Sequence, residues 1–258
     1  MTNVWAVVMN TFREAVRDRV LYNLVFFALL MMGAAILVGQ ISIGIEQSVM
    51  VSLGLTAISV IGIFMAVFIG VGLVSKEMDK RTLYALLAKP VERWQFLLGK
   101  FAGLVMTLTV NTAAMTVGLY GALWAVKHPL EKGDWYLLVA VYLILLKLAL
   151  IVGLAMLFSC FTTPFLAILF TLGLYVAGLF AQDLRTLQAV SLTASTMSML
   201  RGISYLLPNF ENFNVLGAVT HGRGVAGRLV FENTCYALLY GAMVLAAAAT
   251  IFSRRNLK

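Results

Sequence analysis

Long apolar runs alternate with short polar ones along this chain, and the alternation predicts its architecture. About 20 mainly apolar residues let a helix cross roughly 30 Å of hydrocarbon while satisfying its own backbone hydrogen bonds. Six runs qualify, and the fifth is the shortest: 21–41, 53–75, 101–126, 135–158, 165–181 and 235–252. The pattern predicts an all-α polytopic membrane protein with six transmembrane helices in one domain over residues 1–258.

A different pattern precedes the first run. Apolar residues recur there at three- to four-residue spacing, with charged residues on the rest of the helical wheel: Trp5, Val8, Met9, Phe12, Val16 and Val20. This periodicity predicts an amphipathic helix over 1–20 that lies in the membrane interface and bends into the first span near 21–23. A solvated cap that merely fixes orientation is the alternative. We expect no cleavable signal peptide, because this stretch is charged where an apolar core should have begun.

Composition agrees with a membrane protein. A hydrophobic content of 62% and a mean hydropathy of +0.96 give 258 residues more apolar surface than one soluble core hides. The net charge of +8 does not indicate nucleic acid, because the basic residues lie at span ends. Twelve of the 19 lysines and arginines fall on the side that includes both termini and six on the other. This bias predicts cytoplasmic termini.

The segment between the second and third runs, residues 76–100, is unusually charged. It holds nine charged side chains, three of them acidic. Glu77 precedes Arg81 by four residues, and a short leucine stripe follows before Pro90 ends the helical pattern. The pattern predicts a short amphipathic helix on the cytoplasmic side. At the end of the segment Lys100 can meet lipid phosphates. The segment could be a positive-inside anchor, but acidic residues and an ordered leucine stripe favour a docking site.

This segment resembles the corresponding loop of the permease subunits of ATP-binding-cassette transporters of the type-2 exporter class. The matching residues are Glu77, Thr82, Leu86, Leu87, Pro90, Arg93, Gly99 and Lys100, while Arg81 and Glu92 depart from the usual pattern. The stretches TFREAVRDRVLY, LLPNFENFN and FSRRNLK look most like the branch involved in multicopper enzyme maturation.

The resemblance implies a location, partners and a set of coupling residues. The location is the bacterial inner membrane, among membrane lipids. The partners are two copies of an ATPase subunit, whose groove receives a coupling helix, and a second permease that forms the translocation path, here expected as a homodimer. The residues expected to couple to the ATPase are Glu77, Arg81, Thr82, Leu86, Leu87, Pro90 and Arg93.

Motifs for catalysis are not found in the sequence. It has no G-x-x-x-x-G-K-[ST], so ATP hydrolysis is expected from a partner and this chain is not predicted to be an enzyme. It has no H-E-x-x-H or G-x-S-x-G, and both His128 and His221 fall in predicted outer loops, which disfavours an intramembrane hydrolase. A non-transporting membrane scaffold or sensor remains a rival interpretation.

The longest polar connection, residues 182–234, is predicted to lie outside the membrane and could bind a periplasmic partner. Its apolar spacing predicts one or two short helices, ended by Pro208 and an Asn-rich turn. Met197, Met199 and His221 are residue types that suit Cu(I), but methionine is a common packing residue, so no metal or cofactor is expected. Cys160 and Cys235 are expected to be packing residues.

One basic residue lies deep in a predicted span. Lys147 has 11 or 12 residues on either side, about 17 Å of helix, which is too far for its side chain to reach an interface. No acidic residue lies near mid-depth in any span. Lys147 could face a polar cavity near Thr107, Thr109 and Asn111 and meet an anionic part of the substrate, it could be neutral and buried, or the span boundary could be misplaced. The first hypothesis places Lys147, Asn111 and Thr107 on a substrate path.

Small residues at four-residue intervals predict where helices approach closely. The rows are Gly99 with Gly103, then Ala114, Gly118 and Ala122, then Gly173 with Ala177. They indicate a compact bundle and are compatible with a dimer.

Overall fold

The computed structural model describes residues 2–17, 46–79, 93–126, 135–181 and 207–254, together with Gly202 and isolated positions between 22 and 37. Every regular element in those ranges is helical. Seven α-helices and one 3₁₀ turn are present there: α1 Thr2–Val16, α2 Glu46–Asp79, α3 Arg93–Val126, α4 Trp135–Ser159, α5 Pro164–Leu179, the 3₁₀ turn Glu211–Phe213, α6 Leu216–Thr220 and α7 Gly227–Arg254.

Four of these helices are long and apolar enough to cross a membrane: Gln47–Gly72, Trp94–Trp124, Trp135–Ser159 and Gly227–Ser253. They correspond to the predicted second, third, fourth and sixth spans. The predicted first span, 21–41, lies outside the described residues apart from isolated positions. At the predicted fifth span, α5 has 16 residues, fewer than the approximately 20 that an untilted crossing needs. The chain is therefore an all-helical membrane protein with four candidate spans in its described part.

The helices around the charged segment are longer than the sequence predicted. α2 begins seven residues before the predicted span and ends at Asp79, and α3 begins at Arg93, eight residues before its predicted span. Each has 34 residues, or about 51 Å of helix, well over the hydrocarbon thickness. An apolar run ends where polar residues begin, whereas the backbone hydrogen bonds of a helix can continue into polar sequence.

α4 is the centre of the helical bundle. It packs against α2, α3, α5 and α7, and the 3₁₀ turn and α6 also contact it. Its sequence is apolar around the whole circumference, which is typical of a helix buried on all sides. Leu143, Leu148 and Ile151 are completely buried, as are Ala155 and Met156 nearer its end. The middle and the second half of α4 therefore lie among other helices.

α1 packs along the first half of α3. A Cβ added at Gly103 would lie 2.7 Å from the backbone oxygen of Val8 and 2.7 Å from Cβ of Thr11, and one at Gly99 would lie 2.8 Å from Val7. The predicted close approach at the Gly99 and Gly103 row is confirmed, and its partner is α1. Gly173 of the third predicted row meets no atom within 4 Å in the described chain.

α1 buries one face against the other helices, where Val8, Thr11 and Ala15 are buried. Trp5, which belongs to the stripe predicted to rest at the headgroup boundary, is 60% exposed. The close approach at the two glycines selects small side chains at the contact, so the bulky residues are displaced from it. The position of this helix in the membrane interface stays a prediction.

The segment after Pro208 is bound to three helices. Phe210 N donates to Gly178 O of α5 at 3.3 Å. Asn209 N donates to Tyr236 Oη of α7 at 3.0 Å, and Ser48 Oγ of α2 donates to Thr220 O at 3.0 Å. The predicted Asn-rich turn contains the 3₁₀ turn and is followed by α6, which the sequence did not predict. The helices predicted before Pro208 lie outside the described residues, except for the single position Gly202.

Candidate functional site

The side chain of Lys147 lies at the middle of α4, 12 residues from each end of the helix. The residue is 7% exposed, and its Nζ donates a hydrogen bond of 2.6 Å to Oγ of Ser59 on α2. Burial of a cation at this depth costs about 2.5 to 3.5 kcal/mol on insertion scales unless its surroundings offset that cost. The groups around Lys147 therefore show what offsets the cost of its burial.

A cavity of about 270 Å³ adjoins Lys147, and we call it the Lys147 cavity. Residues of α2, α4 and α5 form its walls, and the segment from Phe210 to Leu216 closes it. Most of the lining side chains are apolar, and Ser59 is the polar one that binds the lysine. The lining residues are Leu55, Thr56, Ser59, Ala140, Ile144, Lys147, Tyr175, Leu179, Phe210, Glu211, Phe213, Asn214, Val215 and Leu216.

Glu211 brings the opposite charge to the same cavity. It begins the 3₁₀ turn, and its Oε1 accepts a hydrogen bond of 2.9 Å from Nδ2 of Asn214. Of the described residues that line the cavity, Lys147 and Glu211 are the only charged ones. No ion pair of 4.0 Å or less joins Lys147 to a carboxylate in the part of the chain that the structure describes. The two charges share the cavity without a direct contact.

A second cavity, of about 440 Å³, lies on the other side of the 3₁₀ turn, and we call it the Glu232 cavity. Glu211 and Asn214 line both cavities, so this hydrogen-bonded pair forms part of the wall between them. The second cavity is more polar: its other lining residues are Asn212, Leu229, Glu232, Asn233 and Tyr236. Asn233 Nδ2 donates to Asn212 O at 2.8 Å and so fixes the turn to α7.

The predicted polar partners of Lys147 on α3 lie elsewhere. Thr107 Oγ1 donates to Gly103 O at 2.9 Å, and Asn111 Nδ2 donates to Thr107 O at 2.8 Å, both within α3. Neither residue lines the Lys147 cavity, and Thr109 is exposed. The structure therefore places Lys147 beside a cavity whose lining does not include Thr107 or Asn111. A role of these two residues in a substrate path stays a prediction.

Ser59, Thr56 and Glu211 are the partners that sequence reasoning missed. Thr56 and Ser59 stand three residues apart in the second apolar run, so they share a helical face, and that spacing was a usable signal. Glu211 had no such signal, because it reaches the cavity through a turn 64 residues after Lys147.

The predicted coupling residues lie at and beyond the limits of the described ranges. Arg81, Thr82, Leu86, Leu87 and Pro90 are outside those ranges. The backbone of Glu77 belongs to the last turn of α2, and Arg93 is the first residue of α3. The two helices that flank segment 80–92 pack against each other. A force applied to that segment therefore acts on α2 and α3 directly.

Lys100 corrects a prediction about lipid contact. The sequence suggested that this residue meets lipid phosphates, but it is 2% exposed. Its Nζ lies 4.0 Å from Oε2 of Glu14 and 5.6 Å from the centroid of the Phe96 ring. α1 covers it, which the sequence of α3 alone does not reveal.

Metal ligation finds little support in the described ranges. No group of three or more His, Cys, Asp or Glu side chains is close enough there to hold a metal ion. Cys160 is buried and Cys235 half-buried, both as free thiols, and His221 is an exposed residue at the end of α6. Met197 and Met199 of the copper hypothesis lie outside the described residues.

Comparison with known families identifies the chain. Residues 5–257 match the profile of the family described as ABC-2 family transporter protein. No curated protein sequence matches the chain. The family match covers nearly the whole chain and confirms the resemblance to type-2 ABC permeases, but it does not distinguish the multicopper-maturation branch. The chain belongs to the ABC-2 transporter family and is a transmembrane permease subunit of an ABC transporter, a transport component that is not itself catalytic.

Proposed function

We propose that this permease is the transmembrane component of an ATP-driven exporter in the bacterial inner membrane, with both termini in the cytoplasm. Two copies pair to form the translocation unit, and two copies of a separate ATPase dock on residues 76–100. The Lys147 cavity forms part of the substrate path. The observation that carries this proposal is the buried cation beside a cavity, in a chain of a transporter family.

α2 provides a physical connection between the docking segment and the cavity. Ser59 stands 18 residues before Glu77 on the same helix, or about 27 Å along its axis. A continuous helix transmits displacement along its length, whereas Lys147 belongs to a different helix. Movement of the docking segment would therefore shift Ser59 relative to Lys147 and change the cavity.

A second copy of the chain fits the open face of α5. Phe161, Phe170 and Val176 line an apolar groove there together with Gly173 and Ala177, and Gly173 meets no atom within 4 Å. Small residues four positions apart favour close approach of helices in lipid. We take this face as the contact between two permease copies. Native mass spectrometry of the purified complex should give two permease and two ATPase chains, and a single permease chain would contradict the pairing.

Two parts of the proposal rest on resemblance and topology. Export as the direction of transport rests on the family alone, and the multicopper-maturation branch rests on the stretches TFREAVRDRVLY, LLPNFENFN and FSRRNLK. The segment 182–234 is where a partner outside the membrane would bind.

A non-transporting scaffold is the second candidate, and the Lys147 cavity weighs against it. A scaffold needs helices with complementary surfaces, and an apolar residue at position 147 would pack without the cost of a buried cation. A lysine beside a cavity is understandable when the lysine binds something.

The coupling segment offers the direct test of this function. Charge reversal with Glu77→Lys together with Leu86→Asp should abolish permease-dependent ATP turnover in the reconstituted complex, because both changes fall on the proposed docking surface. The control is Lys258→Glu, a charge reversal in another predicted cytoplasmic segment, which should leave turnover unchanged. Wild-type turnover in the double variant would refute the coupling assignment.

A further inference from the structure

The charges that the described residues bring to the Lys147 cavity are balanced. Among those lining residues one side chain is cationic, Lys147, and one is anionic, Glu211. An anion that enters is attracted by the lysine and repelled by the glutamate, and the reverse holds for a cation. Lys147 is buried, so its interactions are stronger than in water, whereas Glu211 is half-buried and its charge acts less strongly. The cavity therefore disfavours a ligand of either net charge.

Both charged groups have hydrogen-bonding capacity to spare. An ammonium carries three donors, and the structure gives Lys147 one acceptor, Oγ of Ser59. A carboxylate accepts about four hydrogen bonds, and the structure gives Glu211 one donor, Nδ2 of Asn214. A buried charge is stabilised when its remaining positions are filled by polar partners.

Space separates the two groups. They line one cavity of about 270 Å³, yet they form no ion pair within 4.0 Å in the described structure. A ligand can therefore lie between them, with an anionic group toward Lys147 and a cationic group toward Glu211.

The rest of the lining is suited to an apolar body. Leu55, Ile144 and Leu179 come from three different helices, and Phe210 and Phe213 close the cavity. Ligand sites are commonly apolar with a few convergent polar groups that fix orientation.

We propose, building on the proposed function, that the ligand of this cavity is a zwitterionic amphiphile. Its anionic group binds Lys147 and Ser59, its amine binds Glu211, and its apolar part lies against the leucine and phenylalanine walls. Ethanolamine lipids and free molecules with the same pair of charges share this chemistry.

The test is equilibrium binding to the full-length permease in a nonionic maltoside detergent, measured by native mass spectrometry. The probes are lysophosphatidylethanolamine, lysophosphatidylglycerol, dodecylamine and free glycerophosphoethanolamine. Lysophosphatidylethanolamine should bind at least tenfold more tightly than the anionic lysophosphatidylglycerol and the cationic dodecylamine. Comparable binding of the free headgroup would identify a soluble source, and its failure to bind would identify a lipid source. Preference of the wild-type protein for either singly charged amphiphile would overturn the proposal.

Two variants sharpen the test. Lys147→Met should shift the preference toward dodecylamine, and Glu211→Gln should shift it toward lysophosphatidylglycerol. Glu232→Gln, which changes the neighbouring cavity alone, should keep the wild-type order. If the two charges had a purely structural role, Lys147→Met and Glu211→Gln would both keep the wild-type order of probe affinities. That outcome would refute the assignment.

Two conservative variants serve as a second test if the neutral variants do not fold. Lys147→Arg and Glu211→Asp keep each charge, so both should keep the wild-type order of binding. Loss of the zwitterion preference in both folded conservative variants would contradict the assignment. Binding is measured without the ATPase, so the two experiments are independent. An unexpected ranking of the probes would not affect the coupling test, and wild-type ATP turnover in the coupling variant would not affect the ranking of the probes.

Discussion

Two buried lysines, Lys100 on α3 and Lys147 on α4, occupy very different surroundings. Lys100 is 2% exposed beneath α1, with Glu14 at 4.0 Å and the ring of Phe96 at 5.6 Å. Lys147 is 7% exposed beside a cavity, with a serine hydroxyl as its partner. The first is a packed contact between two helices, whereas the second has space for a ligand.

This difference shows that burial of a cation does not by itself identify a functional site. Each lysine stands in a long apolar helix, and each side chain is withdrawn from solvent. An adjacent carboxylate and an aromatic face explain Lys100 as part of the fold. Lys147 has a cavity that a charge of opposite sign, Glu211, also lines, and these neighbours support the proposed role in binding.

The largest expected effect follows from Lys147→Met, which keeps the length of the side chain and removes its charge. Stimulation of ATP turnover by lysophosphatidylethanolamine in the reconstituted complex should fall at least tenfold, because the anionic group of the ligand loses its partner. The matched control is Leu145→Met, two residues earlier on α4 and outside the cavity lining. Full stimulation in the Lys147 variant would remove this residue from the substrate path.

The contact that buries Lys100 should be sensitive at Gly103. Gly103→Ala places a methyl group against the backbone oxygen of Val8, and overpacking of this kind typically costs about 1–3 kcal/mol. Gly121→Ala on the same helix meets nothing within 4 Å and should not lower stability. Thermal unfolding of the two variants in detergent compares them, and equal stabilities would contradict the close approach of α1 to α3.

The Glu14 and Lys100 pair should respond asymmetrically to mutation. Glu14→Gln removes the neutralising charge from a buried ammonium, whereas Lys100→Met replaces that ammonium with an apolar group. The first should cost about 1–2 kcal/mol, less than the 3–5 kcal/mol of a fully buried pair, because the Glu14 side chain is 42% exposed. Lys100→Met should lower the stability less than Glu14→Gln does. Thermal unfolding measures both, and the opposite order would show that the pair does not stabilise the contact.

The smallest effect is expected at Ser59. Ser59→Ala removes the hydroxyl that binds Lys147 and should raise the lysophosphatidylethanolamine concentration for half-maximal stimulation a few-fold, consistent with about 1 kcal/mol for one hydrogen bond. Ser52→Ala, two turns earlier on the same helix and outside the cavity lining, is the control. Equal responses in the two variants would mean that Ser59 does not support the site.

Sequence patterns predicted the elements of the fold better than their contacts. Apolar runs located the four candidate spans of the described residues, and the uniform apolarity of α4 is consistent with its central place. The Gly99 and Gly103 row indicated a close approach, but its partner depended on how α1 folds back onto α3. The same packing explains why lipid contact at Lys100 was a wrong prediction.

The candidate site was predictable in part. The depth of Lys147 in its span marked it as unusual, because a basic residue there is expensive. The spacing of Thr56 and Ser59 was a usable signal for one wall of the cavity, but Glu211 was not predictable, since it reaches the cavity through a turn that is far away in sequence. The coupling residues between 80 and 92 lie outside the described ranges and rest on resemblance.

The most direct test of the account is whether the Lys147 cavity changes its exposure when ATP binds. Lys147→Cys and Lys100→Cys would each be introduced after replacement of Cys160 and Cys235 by alanine, and labelled with a membrane-impermeant maleimide in the reconstituted complex. A site on an ATP-driven path should show at least a tenfold change in labelling rate at position 147 between the nucleotide-free and the vanadate-trapped complex, with no comparable change at position 100. A labelling rate at position 147 that is independent of nucleotide would contradict the account.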